Sequence, residues 1–289
     1  MKRATKGALK SSLRDRGIEV ALAPSRRLSH AHYTRVRRFR LPAAVAATLH
    51  RPAQGAMLVD VDRILNRAGF SYAASGWHPF VAALEEYLAD PRATYATSVL
   101  RAFYERFQPT TVRGLLLDER GTPEGRLATW PAVERLIDLW SATAEDVDRT
   151  RRSLAGMHEL PHSQYRGPNP DLFGAKHLSR VVDAYHSFVR VGYQPEVYGF
   201  VTGYFLTRGD DYRFVLGHGN HRVAALSVLG QRQIAVRLRE SHPPVVAESD
   251  LARWTTRRGG LLDMAEVEAV FDRFFRDDSK QRAEALGIA

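Results

Sequence analysis

Residues 212–240 read YRFVLGHGNHRVAALSVLGQRQIAVRLRE, and this stretch decides the fold prediction. Aromatic and β-branched residues dominate Tyr212–Leu216, which is typical of a strand. A helix is predicted from about Asn220 to Gly230, because apolar residues recur there at helical spacing and glycine favours a helix end. Ile234–Leu238 has the composition of another strand. The stretch therefore predicts a strand, a tight loop, a helix and a strand in succession.

The loop of this unit has the chemistry of an anion site. Its two glycines allow positive φ and close approach of a ligand, and the following helix directs its first N–H groups and a partial positive charge toward the loop. Imidazole and guanidinium groups add side-chain donors. On composition alone, a glycine turn with two surface histidines explains the same residues equally well. The phosphate-binding hypothesis assigns Gly217, His218, Gly219, Asn220, His221 and Arg222.

The residues before this unit predict a helix and a second strand. Tyr198–Leu206 is rich in aromatic and β-branched residues, and Thr207–Asp210 separates it from the strand that begins at Tyr212. The two strands are therefore predicted to form a hairpin. Upstream, apolar residues between Leu178 and Val189 recur at helical spacing, and Gly192 is placed to end that helix.

The run from Tyr212 to Gly230 with the following Gln-Ile-Ala-Val, together with Ala184–Pro195, resembles the ParB/sulfiredoxin superfamily. Its members carry a Gly-x-(His/Arg)-Arg loop, a helix with Ala-Ala-x-x-x-Leu-Gly, and a strand. The resemblance covers residues 178–240, about a fifth of the chain. It implies a small α/β module that binds a nucleotide, ATP or CTP, together with magnesium.

Three branches of the superfamily differ in the loop. Sulfiredoxins have a cysteine where this chain has Asn220, so their thiol chemistry is excluded. ParB partition proteins have Gly-Glu-Arg-Arg, of which the basic second half remains as His221 and Arg222. Free serine kinases have an aspartate where this chain has His218. The resemblance thus implies phosphate binding, with a phosphotransferase or nucleotide hydrolase activity as the associated chemistry.

A phosphoryl-transfer site needs positioned cations and a base. Glu196, in the Gln-Pro-Glu turn before the first strand of the module, is the candidate base, and His221 and Arg222 complete the candidate catalytic set. Exposure as an ordinary loop carboxylate is the alternative for Glu196. Asp210 and Asp211 are either magnesium ligands or simply turn residues of the hairpin. No metal-ligating residue is assigned.

The fold class predicted for the whole chain is α+β, with a mostly helical N-terminal region and the small ParB/sulfiredoxin-like α/β module. Residues 41–160 are predicted to be helical, in helices that lie around Val59–Leu65, Pro79–Leu88, Tyr95–Phe107, Pro131–Trp140 and Ala144–Leu154. Residues 161–177, rich in proline and glycine, are predicted to be a loop or linker. Residues 178–240 form the module, and residues 241–289 a tail with one amphipathic helix, Asp263–Arg276.

The charge of the chain is uneven. Residues 1–40 hold twelve Lys and Arg against two acidic residues, and this surplus equals the net charge of +10. A basic arm of this kind supports a rival function, in which a DNA-binding or nuclease-like protein uses residues 1–40 to bind nucleic acid. A solvated arm without a partner explains the charge equally well. A third hypothesis is a non-catalytic adaptor.

The chain has no cysteine, which excludes disulfides and thiolate metal sites and fits a reducing compartment. Its longest apolar run, Pro42–Leu49, is too short to span a bilayer, so we expect a cytoplasmic protein. Residues 158–162 match the letters of the His-Glu-x-x-His zinc signature. Pro161 disfavours the helical turn that this signature requires, so no zinc site is predicted there.

Overall fold

The computed structural model describes residues 34–35, 56–117, 130–133, 140, 144–239, 243–253, 263–276 and 278–289. The predicted basic arm, residues 1–40, lies outside the described residues except for the backbone of Thr34–Arg35. Most of the helix predicted over Pro131–Trp140 also lies outside them.

Within the described ranges, seven strands form one mixed sheet. The strands are β1 (Thr34–Arg35), β2 (Ala56–Asp60), β3 (Ile64–Leu65), β4 (Val201–Arg208), β5 (Asp211–His218), β6 (Gln233–Leu238) and β7 (Val245–Ala247). Their order is β1-β2-β6-β4-β5-β3, and β7 pairs with β4.

The centre of the sheet is the predicted hairpin. Strands β4 and β5 pair antiparallel from Thr202↔His218 to Arg208↔Asp211, with a turn at Gly209 and Asp210. On the other side of β4, β6 pairs in parallel with its first half and β7 in parallel with its second half. Strand β2 pairs antiparallel with β6, and β3 pairs parallel with β5. The N-terminal part of the chain therefore supplies both flanks of the sheet.

The short helix predicted around Val59–Leu65 is wrong. Ala56–Asp60 is strand β2, Val61–Arg63 is a single 3₁₀ turn, and Ile64–Leu65 is strand β3. The reason is that Ala56 through Val59 are all buried, and that β1 and β6 pair with the two edges of this segment. A continuous apolar run of this length fits a fully covered strand as well as a helix, and periodicity alone does not separate them.

The described helices agree with the other predictions apart from their ends, except that Val112–Leu116, Pro195–Tyr198 and Ser279–Ala285 were not predicted as helices. They are α1 (Pro79–Ala89), α2 (Val99–Arg106), α3 (Val112–Leu116), α4 (Ala144–Leu154), α5 (Asp171–Val191), α6 (Pro195–Tyr198), α7 (Asn220–Val228), α8 (Met264–Phe275) and α9 (Ser279–Ala285). Helix α5 begins at Asp171, so its first turns belong to the stretch in which the sequence predicts a loop. It ends before Gly192, whose φ of 72° lies in the left-handed region, as predicted.

Two apolar clusters cover the two faces of the sheet. Alternate residues of the hairpin point to opposite sides: Phe205 and Phe214 pack with α1, α2 and α7, whereas Leu206 and Val215 pack with α8. The first cluster joins residues of β2 and α1 to residues of β4, β5 and α7. The α+β class is therefore confirmed.

Candidate functional site

Helix α7 begins immediately after strand β5, at a glycine. Gly219 is the N-cap residue, with φ of 115° and ψ of 21°, a conformation that a residue with a Cβ atom adopts only under strain. Its carbonyl accepts the N–H of Val223, which starts the helical hydrogen-bond pattern. Because glycine has no side chain, it cannot cap the N–H groups of the first turn. Among the described residues, none accepts a hydrogen bond from the N–H groups of Asn220, His221 and Arg222, which therefore face a ligand as free donors.

A cavity of about 340 Å³ opens at this helix start. Neither aspartate nor glutamate is among the described residues that line it. The lining comprises His162, Gln164, Phe173, His177, Arg180, His218, Gly219, Asn220, His221 and Arg222. Five of the six loop residues predicted to bind phosphate therefore meet at one cavity.

One face of helix α5 forms the opposite wall. Phe173, His177 and Arg180 lie at positions i, i+4 and i+7, which a helix places on one side. Seven residues of helix extend about 10 Å, so an aromatic ring marks one end of this wall and a guanidinium group the other. Helices α5 and α7 pack against each other, which fixes the width of the cavity.

Two imidazoles contact each other in the middle of the site. The Nδ1 atom of His177 lies 2.8 Å from Nε2 of His221, so one ring donates to the other. The ring of His221 also stacks on Phe80, with centroids 4.7 Å apart. Burial, with a smaller contribution from nearby cations, lowers the pKa of His221 to about 3 and that of His177 to about 4. Both rings are therefore neutral near pH 7, and the contact is a neutral hydrogen bond.

The two arginines of the cavity are placed differently. The guanidinium of Arg222 donates to the carbonyl oxygens of Gly199 and, over 3.2 Å, Phe200. It therefore holds the segment before β4 against the start of α7. Arg180 is exposed and makes no ion pair with any residue that the structure describes. Arg180 is thus the cation better placed to pair with a ligand.

Asn220 faces into the protein. It is 4% exposed, and its Oδ1 accepts the hydroxyl of Tyr72 over 2.7 Å, while its Nδ2 donates to the Tyr165 hydroxyl over 3.4 Å. The side chain of Asn220 therefore fixes the start of α7, and its backbone N–H belongs to the open first turn.

Residues 161–170 form a rigid edge of the cavity. Arg166 is 1% exposed, and its guanidinium donates to the carbonyls of Ala132, Gly167 and Pro161 over 2.8–2.9 Å. The side chain of Asn169 accepts from the backbone of Ser163 and donates back to it. These hydrogen bonds join residues within the proline-rich stretch and thereby position His162 and Gln164.

The remaining predicted residues lie away from the cavity. Glu196 is exposed in the short helix α6 and is not among the residues that line the cavity. The carbonyl of Gly217 accepts from Arg67 over 2.9 Å. Asp211 forms ion pairs with Arg63 and Arg213, at 2.7 and 2.9 Å. The carboxylate of Asp211 is therefore already paired with two arginines.

Five residues of the cavity lie outside the glycine loop and were not predicted from the sequence. His162, Gln164, Phe173, His177 and Arg180 all line the cavity. The signal for three of them was present, because Phe173, His177 and Arg180 have the spacing of one helical face. The prolines at 168 and 170 obscured it, since they suggested that the loop continued further along the chain.

Within the described ranges, no three His, Asp or Glu side chains converge as a candidate metal site. His158 and His162 lie outside the described helices and are exposed. None of the helices in the described part of the chain combines the length and apolar character that a membrane crossing requires.

No protein-family model, curated protein or solved structure matches this chain.

Proposed function

We propose that this protein binds the phosphate group of a nucleotide in the cavity at the start of helix α7. One observation carries the proposal: the uncapped first turn of α7 and the guanidinium of Arg180, which forms no ion pair with any described residue, border one cavity whose described lining has no carboxylate. A helix N-terminus attracts anions through its free N–H groups and its dipole, and a guanidinium adds a charge-assisted hydrogen bond.

The charges around the buried histidines also favour a negatively charged ligand. Arg180 contributes to the lowered pKa of both His177 and His221, and Lys176 contributes for His177, beside the larger effect of burial. Cations close enough to disfavour protonation of the rings also favour a bound anion. A phosphate in the cavity would offset this positive potential.

The ParB/sulfiredoxin resemblance of residues 178–240 points to the same loop and remains part of the proposal. The order of helix, hairpin, glycine loop, helix and strand that motivated it is present in α5, β4, β5, α7 and β6. Under this proposal His218, Gly219, Asn220 and His221 contact phosphate mainly through backbone and imidazole N–H groups. Arg222 positions the loop through Gly199 and Phe200.

Our proposal stops at binding because neither of the two buried histidines of the cavity, His177 and His221, suits the role of a base. A catalytic base works best when its pKa lies near the operating pH, whereas those of His221 and His177 are about 3 and 4. Glu196, the predicted base, is not among the residues lining the cavity. A magnesium ion would also find no carboxylate oxygen in the described lining, so we derive no phosphoryl-transfer or hydrolysis step through it.

Arg180→Ala tests the proposal against a matched control. Calorimetric titration with inorganic phosphate, AMP, ATP and CTP, the triphosphates with magnesium, measures affinity. We expect at least one nucleotide to bind wild type and Arg180→Ala to weaken it about tenfold, a modest loss because Arg180 is exposed. The melting temperature of the free variant should stay unchanged.

Arg190→Ala is the control, because Arg190 is an exposed arginine on the same helix and does not line the cavity. It should leave the affinity at the wild-type value. No binding to wild type would overturn the proposal, as would an equal loss of affinity in the two variants, since the effect would then be one of overall charge.

A further inference from the structure

The cavity has a cationic end and an aromatic end. Arg180, whose charge also acts on His221 in the first turn of α7, marks the first, and Phe173, at the opposite end of the same face of α5 and in contact with His162, marks the second. A ligand that filled only the cationic end would leave the aromatic end to water. The shape of the lining therefore indicates a ligand with a phosphate on one side and a flat, less polar group on the other.

The ring of Phe173 is held in place by its neighbours. It is half-buried, with its centroid 4.5 Å from that of His177 and 5.7 Å from that of His162. The ring planes are inclined at 52° and 47°, so neither imidazole lies flat on the phenyl face. Planar heterocycles bind to such aromatic surfaces by stacking.

Gln164 adds hydrogen-bonding capacity on this side of the cavity, since its backbone and the Phe173 ring both lie against Tyr104. Its carboxamide makes no hydrogen bond with any residue in the described part of the chain, while its backbone carbonyl accepts from the Tyr104 hydroxyl over 3.4 Å. A carboxamide offers a donor and an acceptor side by side, which matches the edge of a nucleobase. Its position is set by the bonds that Arg166 and Asn169 make within the loop.

We infer that this aromatic end, formed by Phe173, His162 and Gln164, binds the base of a nucleotide whose phosphate lies at the first turn of α7. The inference rests on the proposed function and deepens it. The cavity of about 340 Å³ is at the lower end of the usual range for small-molecule sites, which suits a nucleoside monophosphate unit. Further phosphates would extend past Arg180 toward solvent.

Calorimetric titration with AMP, CMP, ribose 5-phosphate and inorganic phosphate tests this inference, because the last two probes lack the base. We expect AMP or CMP to bind wild type at least about tenfold more tightly than ribose 5-phosphate, in line with the contribution of one stacked base. Phe173→Leu should remove most of that difference. The same variant should leave the affinity for ribose 5-phosphate within about twofold.

Leu172→Ala is the matched control, since Leu172 is adjacent on α5 and 83% exposed. It should change neither affinity. Gln164→Ala, a second variant outside any helix, should also narrow the difference between AMP or CMP and ribose 5-phosphate. It therefore decides the question if Phe173→Leu fails to fold as judged by circular dichroism.

Different results would contradict the base site and the phosphate site. Equal binding of ribose 5-phosphate and the nucleotides by wild type would overturn the base site and leave the phosphate site intact. So would an equal loss of affinity for both kinds of probe in Phe173→Leu. Absence of binding for all four probes would overturn the proposed function and this inference together.

Discussion

Helices α1 and α7 pack against each other, and their first turns meet at one cluster of buried rings. At the start of α1, Nδ1 of His78 accepts the N–H of Phe80 over 3.1 Å, and Pro79 has no N–H that needs a partner. At the start of α7, the N-cap is Gly219, which has no side chain. One helix start is therefore closed by a buried side chain, and the other is open to a cavity.

Tyr72 links the two helix starts. Its ring stacks on His78 with centroids 4.0 Å apart, and its hydroxyl donates to Asn220 over 2.7 Å. Both contacts are buried, since Tyr72 is 1% exposed. The open start of α7 is thus fixed from the protein side without any cap on its N–H groups. The contacts of Tyr72 therefore hold the uncapped turn in a defined position, which is the condition for a preorganised anion site.

The largest predicted effect concerns the residue that keeps the second start open. Gly219→Ala places a Cβ at φ of 115°, 3.1 Å from Cγ2 of Val201 and 3.2 Å from Nη2 of Arg222. We expect about 2–3 kcal/mol lower free energy of unfolding, from backbone strain together with this crowding. Urea denaturation measures the change, and the variant should also lose phosphate binding.

Gly230→Ala is the control at the other end of α7. Gly230 also has positive φ, at 70°, but a Cβ there would meet no atom within 4 Å, and that angle is close to the ordinary left-handed region. A cost of about 1 kcal/mol is expected. Equal costs for the two variants would contradict the claim that the geometry of Gly219 is special.

A smaller effect is expected from pH. The pKa values of His221 and His177 in the folded protein are about 3 and 4, and burial also lowers that of His78 well below its usual value. Between pH 6.5 and these values the unfolded chain takes up protons and the folded protein does not. Stability is therefore full above about pH 6.5 and falls as pH is lowered.

His221→Gln separates the contribution of His221, at the start of α7, to this pH dependence from that of His78, at the start of α1. We expect wild type to lose up to about 2 kcal/mol through His221 alone between pH 7 and pH 5, and the variant to lose correspondingly less. Urea denaturation at the two pH values measures the difference, and His186→Gln, at an exposed position, provides the control. If wild type and His221→Gln lost the same free energy, the neutral buried state of His221 would be refuted.

Elements that depend on neighbouring residues were predictable from the sequence, whereas elements that depend on distant parts of the chain were not. The hairpin, α7 and β6 were predictable because residues 201–238 hold their own turn, glycine and periodicity signals. Strand β2 was not, because the strands that pair with it, β1 and β6, lie in other parts of the chain. The predicted short helix there failed for this reason.

The candidate site likewise has one part that the sequence predicted and one that it did not. The loop from Gly217 to Arg222 was visible as a motif, and five of its six residues line the cavity. Its opposite wall was hidden, because nothing local indicates that α5 packs across α7. It was also not predictable that Arg222, unlike Arg180, is hydrogen-bonded within the protein, since the carbonyls that accept from Arg222 belong to Gly199 and Phe200.

We propose above all that the open first turn of α7 binds phosphate through its backbone N–H groups. Backbone amide chemical shifts of ¹⁵N-labelled protein, titrated with AMP to saturation, test this most directly. We expect the largest shifts on the amides of Gly219, Asn220, His221 and Arg222, while the amide of Phe80, already bonded to His78, changes little. Saturable shifts centred on another part of the protein, or no shifts at all, would contradict this proposal.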